Sequence, residues 1–194
     1  MFARMPGPHE LVFLSPQEAF FSRVKLAVAG GVVLTVPFLL FQAVRFFSPW
    51  LSPRHRRRAL AFVPLATLLF LLGGGFGYAV LMPFALEFLL GFGGELEPML
   101  SVSAYVNFAI LFVLPLGLVF QLPLVVAFFA GLGILDPRRL ARRRKYAVLA
   151  IFVIAALLTP ADVFSMLLMA VPLLILFELS LLIARLAARG AARR

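Results

Sequence analysis

Between Leu114 and Phe129 the chain reads LPLGLVFQLPLVVAFF, an apolar run that holds one glutamine, Gln121, with Pro123 two positions on. An amide carries two donors and an acceptor oxygen, so in hydrocarbon it must find a neighbouring helix, a partner or water. Pro123 has no N–H and its ring crowds the carbonyl of Val119, so the helix is expected to open locally beside Gln121. Other reactive chemistry is scarce. Cysteine is absent and His9 and His55 are the only imidazoles, which excludes disulfides, thiolate metal sites and a cysteine nucleophile. No Ser/His, Asp/Asp or His/Glu constellation falls in the apolar stretches, so an intramembrane enzyme is the least supported reading and no cofactor or metal is expected.

The element that must position Gln121 is a membrane helix. The chain is 63% hydrophobic with a mean hydropathy of +1.08, against roughly 45–50% apolar residues in a soluble domain. The expected fold is an all-α polytopic membrane bundle, a single membrane domain over 1–194 with five transmembrane helices. They are placed at about Val24–Phe47, Ala59–Phe84, Val106–Leu132, Tyr146–Leu158 and Val163–Ala184, with a basic tail over 185–194. The fourth is short: its residues rise only about 20 Å, against about 30 Å of hydrocarbon.

Helix starts are marked between these runs. Ser15-Pro16-Gln17-Glu18 reads as a capping box with Ser15 at the N-cap, so the first helix begins ahead of its apolar run. Ser52-Pro53, Asp136-Pro137 and Thr159-Pro160-Ala161-Asp162 repeat the device, the last leaving so little linker that spans four and five form a tight hairpin. Internal prolines and the Gly73-Gly74-Gly75-Phe76-Gly77 cluster predict bent helices in close contact.

Charge sets the orientation. Arg54, Arg56, Arg57 and Arg58, then Arg138, Arg139, Arg142, Arg143, Arg144 and Lys145, then Arg185, Arg189, Arg193 and Arg194 all fall on one side of the spans. The positive-inside rule makes that side cytoplasmic and leaves Glu10, Glu18, Glu87, Glu95, Glu97 and Asp162 opposite. The net charge of +10 is therefore an orientation signal rather than a nucleic-acid footprint. Residue 1 then lies outside, yet MFARMPGPHELVFLS has no signal-peptide core. The simplest expectation is an upstream spanning helix that this sequence does not include; the alternative is a five-span protein with its N-terminus outside.

The blocks FLSPQEAFFSRVKLAV, PFLLFQAVRFFSPWLSPRHRRRAL, GYAVLMPFALEF, FVLPLGLVFQLPLVV and RRKYAVLAIFVIAALLTPADVFSMLLMAVPLLILFELSLLIAR, in unbroken order from Leu11 to Arg185, resemble the TatC family, the multispanning subunit of the twin-arginine protein translocase. The resemblance implies six spans with both termini cytoplasmic, the last two short, in a concave, glove-like bundle of the inner membrane. It implies a receptor and assembly scaffold for export of folded proteins. The partners implied are single-span TatA/TatB-like subunits and twin-arginine signal peptides, in a hetero-oligomer surrounded by lipid.

Residue by residue, the signal-peptide face takes in Phe46, Pro49, His55 and Arg57. His55 stands where the family has an acidic residue ahead of Arg-Arg, and the family's other carboxylate lies in a tail outside this sequence. The strongly cationic loop is accordingly expected to repel a twin-arginine peptide. The partner-helix contact takes in Gln121, which matches a family Glu or Gln on the concave face, with Thr159, Pro160, Asp162 and Met166, the last standing where the family often has glutamine. Glu178 is read as a snorkelling or locally paired acid, near Arg185. A small secondary transporter or channel is the alternative, but it has only Gln121 for a midplane polar group and no inverted repeat.

Overall fold

Pro16 fixes the start of the first helix because it needs no N–H partner and its φ is already helical. Ser15 Oγ accepts the Glu18 N–H at 3.3 Å, as the capping pattern requires. The structure, a computed structural model, describes residues 11–12, 15–47, 53–91, 100–159 and 162–192. Helix α1 (Pro16–Phe47) runs through Pro37 and is followed by α2 (Pro53–Phe76). A π-helical turn (Gly77–Leu81) carries α2 directly into α3 (Met82–Gly91). That turn lies immediately ahead of Pro83, whose ring clashes with the carbonyl four residues back; the extra residue of a π turn widens the helix there.

Helix α4 (Val102–Val119) and α5 (Leu122–Gly131) form one apolar length interrupted at Phe120-Gln121. The short α6 (Pro137–Arg142) lies in the second basic segment, and α7 (Arg144–Leu158) and α8 (Val163–Ala192) make the hairpin. Between α5 and α6 the chain turns at Gly133, φ +74°, whose N–H reaches Ala130 O at 3.1 Å while that of Ile134 reaches Phe129 O at 3.1 Å. A left-handed residue there is a helix C-terminal cap that favours glycine.

Among the described residues, four helices are long and apolar enough to cross a membrane: Pro16–Phe46, Leu60–Gly91, Val102–Gly131 and Val163–Leu186. The expected fourth span coincides with α7, whose 15 residues give only about 22 Å of rise. Helix bounds and strand content differ from the sequence reading. The second helix passes Phe84 and ends at Gly91, the third starts at Val102, and two-residue strands β1 (Leu11–Val12) and β2 (Leu100–Ser101) pair in parallel within an otherwise helical fold.

The core sits where α3, α4, α7 and α8 meet, around Ala85, Phe112, Leu116, Ala155, Met169 and Leu173. Lipid is as apolar as these side chains, so close packing rather than water exclusion must hold the helices together. The glycine cluster supplies it. A Cβ at Gly73 would stand 2.6 Å from Phe120 Cγ, one at Gly77 would stand 2.7 Å from Phe112 O, and one at Gly117 would stand 2.7 Å from the Phe70 ring. The α2–α4 seam thus closes to backbone distance, and it brings Ala66 of α2 beneath Gln121.

Candidate functional site

Gln121 is part of the break itself. Its carbonyl accepts Leu124 N–H at 3.1 Å and Val125 N–H at 3.0 Å, opening α5, while its own N–H reaches only three residues back, to Leu118 O at 3.0 Å. Pro123 at the start of α5 explains the interruption, since it has no proton for the carbonyl of Val119. The side chain is 9% exposed, and its Nε2 donates to Ala66 O at 2.7 Å. One N–H of the amide is therefore committed to the neighbouring helix, and its second N–H and its acceptor oxygen remain for another molecule.

At the hairpin, two capping residues divide the work. Both Thr159 and Asp162 fall in the expected helix-start motif, but the Thr159 hydroxyl turns back and donates to Ala155 O at 2.9 Å, closing α7. Asp162 alone caps α8, its Oδ1 accepting Ser165 N–H at 2.6 Å. The reason is backbone direction: Thr159, extended at φ −100° and ψ 156°, is the C-cap of the helix that ends there. Asp162 Oδ2 and Ser165 Oγ are buried without a hydrogen-bond partner. Met166, one turn into α8, packs half-buried against the core, and Pro160 lies outside the described residues. Among the described residues, no hydrogen bond links Gln121 to this hairpin.

The basic end is built from α1, α2, α6, α7 and the last turns of α8. Phe46 is two-thirds exposed at the end of α1. Pro49 lies outside the described residues; His55 and Arg57 fall in the first turns of α2, with side chains outside them. Two carboxylates sit among these arginines and both are engaged. Asp136 caps α6, accepting Arg138 N–H at 2.9 Å, and stands 3.6 Å from Arg139 Nε. Glu178 pairs with Arg144 at 2.9 Å rather than with Arg185, its neighbour along α8. The tight hairpin brings the start of α7 beside the end of α8, and so selects that partner.

The opposite end holds a cluster that the sequence reading did not single out. Glu18 Oε1 accepts from the Ser101 hydroxyl and, at 2.9 Å, from Ser103 N–H, while Ser101 Oγ accepts Ala104 N–H at 3.3 Å. One carboxylate from the first turn of α1 thus caps α4 in trans, beside the β1–β2 pair. Lys25 Nζ reinforces the contact by donating to Asn107 Oδ1 at 2.9 Å. Ser101 ahead of an apolar run was a legible N-cap; its bond to Glu18 spans 83 residues and leaves no local signal.

Comparison with known proteins gives one consistent result. The family model described as Sec-independent protein translocase protein (TatC) matches residues 2–172. The chain is 43% identical over 178 residues to the TatC protein of Carboxydothermus hydrogenoformans, covering 91% of this chain and 73% of that one. It is 40% identical over 186 residues to that of Aquifex aeolicus, covering 93% and 76%. A crystal structure of the twin arginine translocase receptor TatC superposes with a TM-score of 0.81 at 38% identity, over 91% of this chain and 78% of that one.

Proposed function

The chain belongs to the TatC family and is a membrane subunit of the twin-arginine protein translocase; from that premise we propose that it is a docking scaffold for single-span TatA/TatB-like subunits and a receptor for twin-arginine signal peptides. Its work in this reading is recognition, with no covalent step. The basic loops face the cytoplasm and the membrane is the inner one, in keeping with the arginine asymmetry.

The observation that carries the scaffold reading is the pair of unpartnered polar atoms at the hairpin, Asp162 Oδ2 and Ser165 Oγ. Buried polar groups are nearly always paired, and one left unmade costs about 1–3 kcal/mol. A partner helix that shifts the hairpin enough to bring a hydrogen-bond donor to these buried atoms relieves that cost on docking, with Met166 as the adjacent apolar contact and the Gln121 acceptor as a second point deeper in the bundle. Replacing Asp162 by asparagine keeps an N-cap acceptor for Ser165 N–H but turns the second oxygen into a donor. Crosslinking from a cysteine at exposed Val163 to a TatA/TatB-like subunit should fall several-fold in Asp162→Asn, with the chain still membrane-inserted and monodisperse. Unchanged crosslinking would remove the hairpin from the docking site.

Signal-peptide recognition needs acceptors for two guanidinium forks. The carboxylates described on the basic face, Asp136 and Glu178, already face Arg139 and Arg144, so the peptide's arginines must exchange with the chain's own. The small-transporter reading gains little from this arrangement, because Gln121, the polar side chain it relied on, already spends one N–H on Ala66.

A further inference from the structure

The end of α1 and the start of α2 enclose a groove of about 260 Å³ lined by Phe41, Val44, Arg45, Arg56 and Leu60. Its lining is mixed: Phe41, Val44 and Leu60 are apolar, and Arg45 and Arg56 carry guanidinium groups. Arg45 precedes Phe46, where the first apolar span ends, and Arg56 stands four residues ahead of Leu60, where the second begins. Both cations therefore lie at the hydrocarbon boundary. Among the described residues neither Arg45 nor Arg56 forms an ion pair; the pairs at this end are Arg139–Asp136 and Arg144–Glu178. Among the described residues, no carboxylate lines the groove. Arg54, Arg57 and Arg58 adjoin it in sequence and add to the positive potential.

We infer that this groove binds the phosphate headgroup of an anionic membrane phospholipid, held between Arg45 and Arg56, with the first carbons of an acyl chain along Phe41, Val44 and Leu60. A phosphodiester presents oxygens that match the planar donor forks of arginine. Basic pockets between transmembrane helices at this depth suit such headgroups because the lipid arrives already partitioned there. The apolar lining selects the source: a small hydrated anion would leave Phe41, Val44 and Leu60 unused, whereas a lipid covers them. An arginine-bearing peptide is excluded by like charge. The inference stands apart from the receptor reading and does not depend on which way the chain faces.

The test is lipid binding to the full chain purified in a neutral detergent, measured by native mass spectrometry with added phosphatidylglycerol or phosphatidylcholine. Phosphatidylglycerol should bind at least tenfold more tightly. In the double variant Arg45→Gln/Arg56→Gln phosphatidylglycerol binding should weaken by about 25-fold, the product of about fivefold for each arginine near the membrane surface, and the preference should be lost. Arg138→Gln/Arg139→Gln, two exposed changes on the other basic segment, should leave it unchanged. Both pairs are solvent-exposed, and size-exclusion chromatography verifies that each variant remains monodisperse. Equal binding of the two lipids, or equal losses in the two double variants, would overturn the assignment in favour of diffuse attraction to a basic protein. Displacement of the lipid by inorganic phosphate at millimolar concentration would overturn it in favour of a free-anion site.

Discussion

Gly75 and Gly77 lie two residues apart beside the same α2–α4 seam, and adding one methyl group to each should have opposite results. At Gly75 a Cβ would meet nothing within 4 Å. The change to alanine there removes backbone entropy from the unfolded chain and should stabilise by about 0.5–1 kcal/mol. At Gly77 the same Cβ would lie 2.7 Å from the Phe112 carbonyl oxygen and 3.0 Å from Leu116 Cδ1. Ordinary contact begins at 3.4 Å, so α4 must retreat by 3.4 − 2.7, about 0.7 Å. The obstacle is backbone, not the tip of a flexible side chain, so the strain cannot be shed by a rotamer change. Overpacking of this kind costs typically 1–3 kcal/mol. The propensity gain is common to both variants and cancels in their difference, leaving about 2 kcal/mol, roughly a factor of 30 in the ratio of folded to unfolded chain. The chain contains no cysteine, so a cysteine substituted for fully buried Ala155 reports unfolding by its thiol-labelling rate as the SDS fraction in mixed micelles rises. Gly77→Ala should shift the labelling midpoint to lower SDS and Gly75→Ala to slightly higher. Gly77→Ala as stable as Gly75→Ala would refute the idea that α2 and α4 touch at backbone distance.

Gln121→Leu removes the bond to Ala66 and should lower stability by about 1 kcal/mol in the same assay, since interhelical polar bonds in membranes average below 1 and seldom exceed 2; a loss above 3 would mean that the break itself collapses. Glu18→Ala leaves α4 without its carboxylate cap and should cost about 1–2 kcal/mol, seen as faster proteolysis at the end of the bundle that holds Ser101; an unchanged cleavage rate would count against capping in trans. Arg144→Ala breaks a half-exposed ion pair, so stability should change by less than about 1 kcal/mol, whereas signal-peptide crosslinking should rise because Glu178 is released; a fall would assign Arg144 itself to the contact. Single cysteines in place of His55 and Arg142 should resist a membrane-impermeant thiol reagent in intact cells, and one in place of Glu95 should label; labelling at 142 with protection at 95 would reverse the orientation.

What the sequence made legible is what local chemistry encodes. Ser15 and Asp136 cap the helices they precede, and Pro123 ends α4 beside Gln121, because caps and prolines act within a turn of themselves. Hydropathy placed four long spans and an undersized fifth segment for the same reason. The assignment of partners was not legible. Nothing near Gln121 in sequence indicates that Ala66, 55 residues earlier, receives its proton. Glu178 could be placed near Arg185 from helix periodicity, but its pairing with Arg144 depends on how the hairpin folds back. Thr159 and Asp162 read alike as cap-forming residues, and only the backbone direction at the turn separates the one that ends α7 from the one that starts α8.

The joint between Glu18 and the start of α4 has a consequence in time. Ser101 is 83 residues beyond Glu18, so a ribosome adding about 5–20 residues per second needs roughly 4–16 s to deliver the second half of the joint after the first. Throughout that interval α1 carries its carboxylate at its N-terminal end with no α4 to receive it. Leu11 and Val12 wait in the same way for Leu100 and Ser101. The end of the bundle that holds Glu18 is thus assembled by retention: an early helix holds its contact groups until a later helix arrives at the same depth. Any agent that occupies Glu18 during those seconds, a divalent cation or another chain in transit, competes with the chain's own α4 and delays its insertion in register.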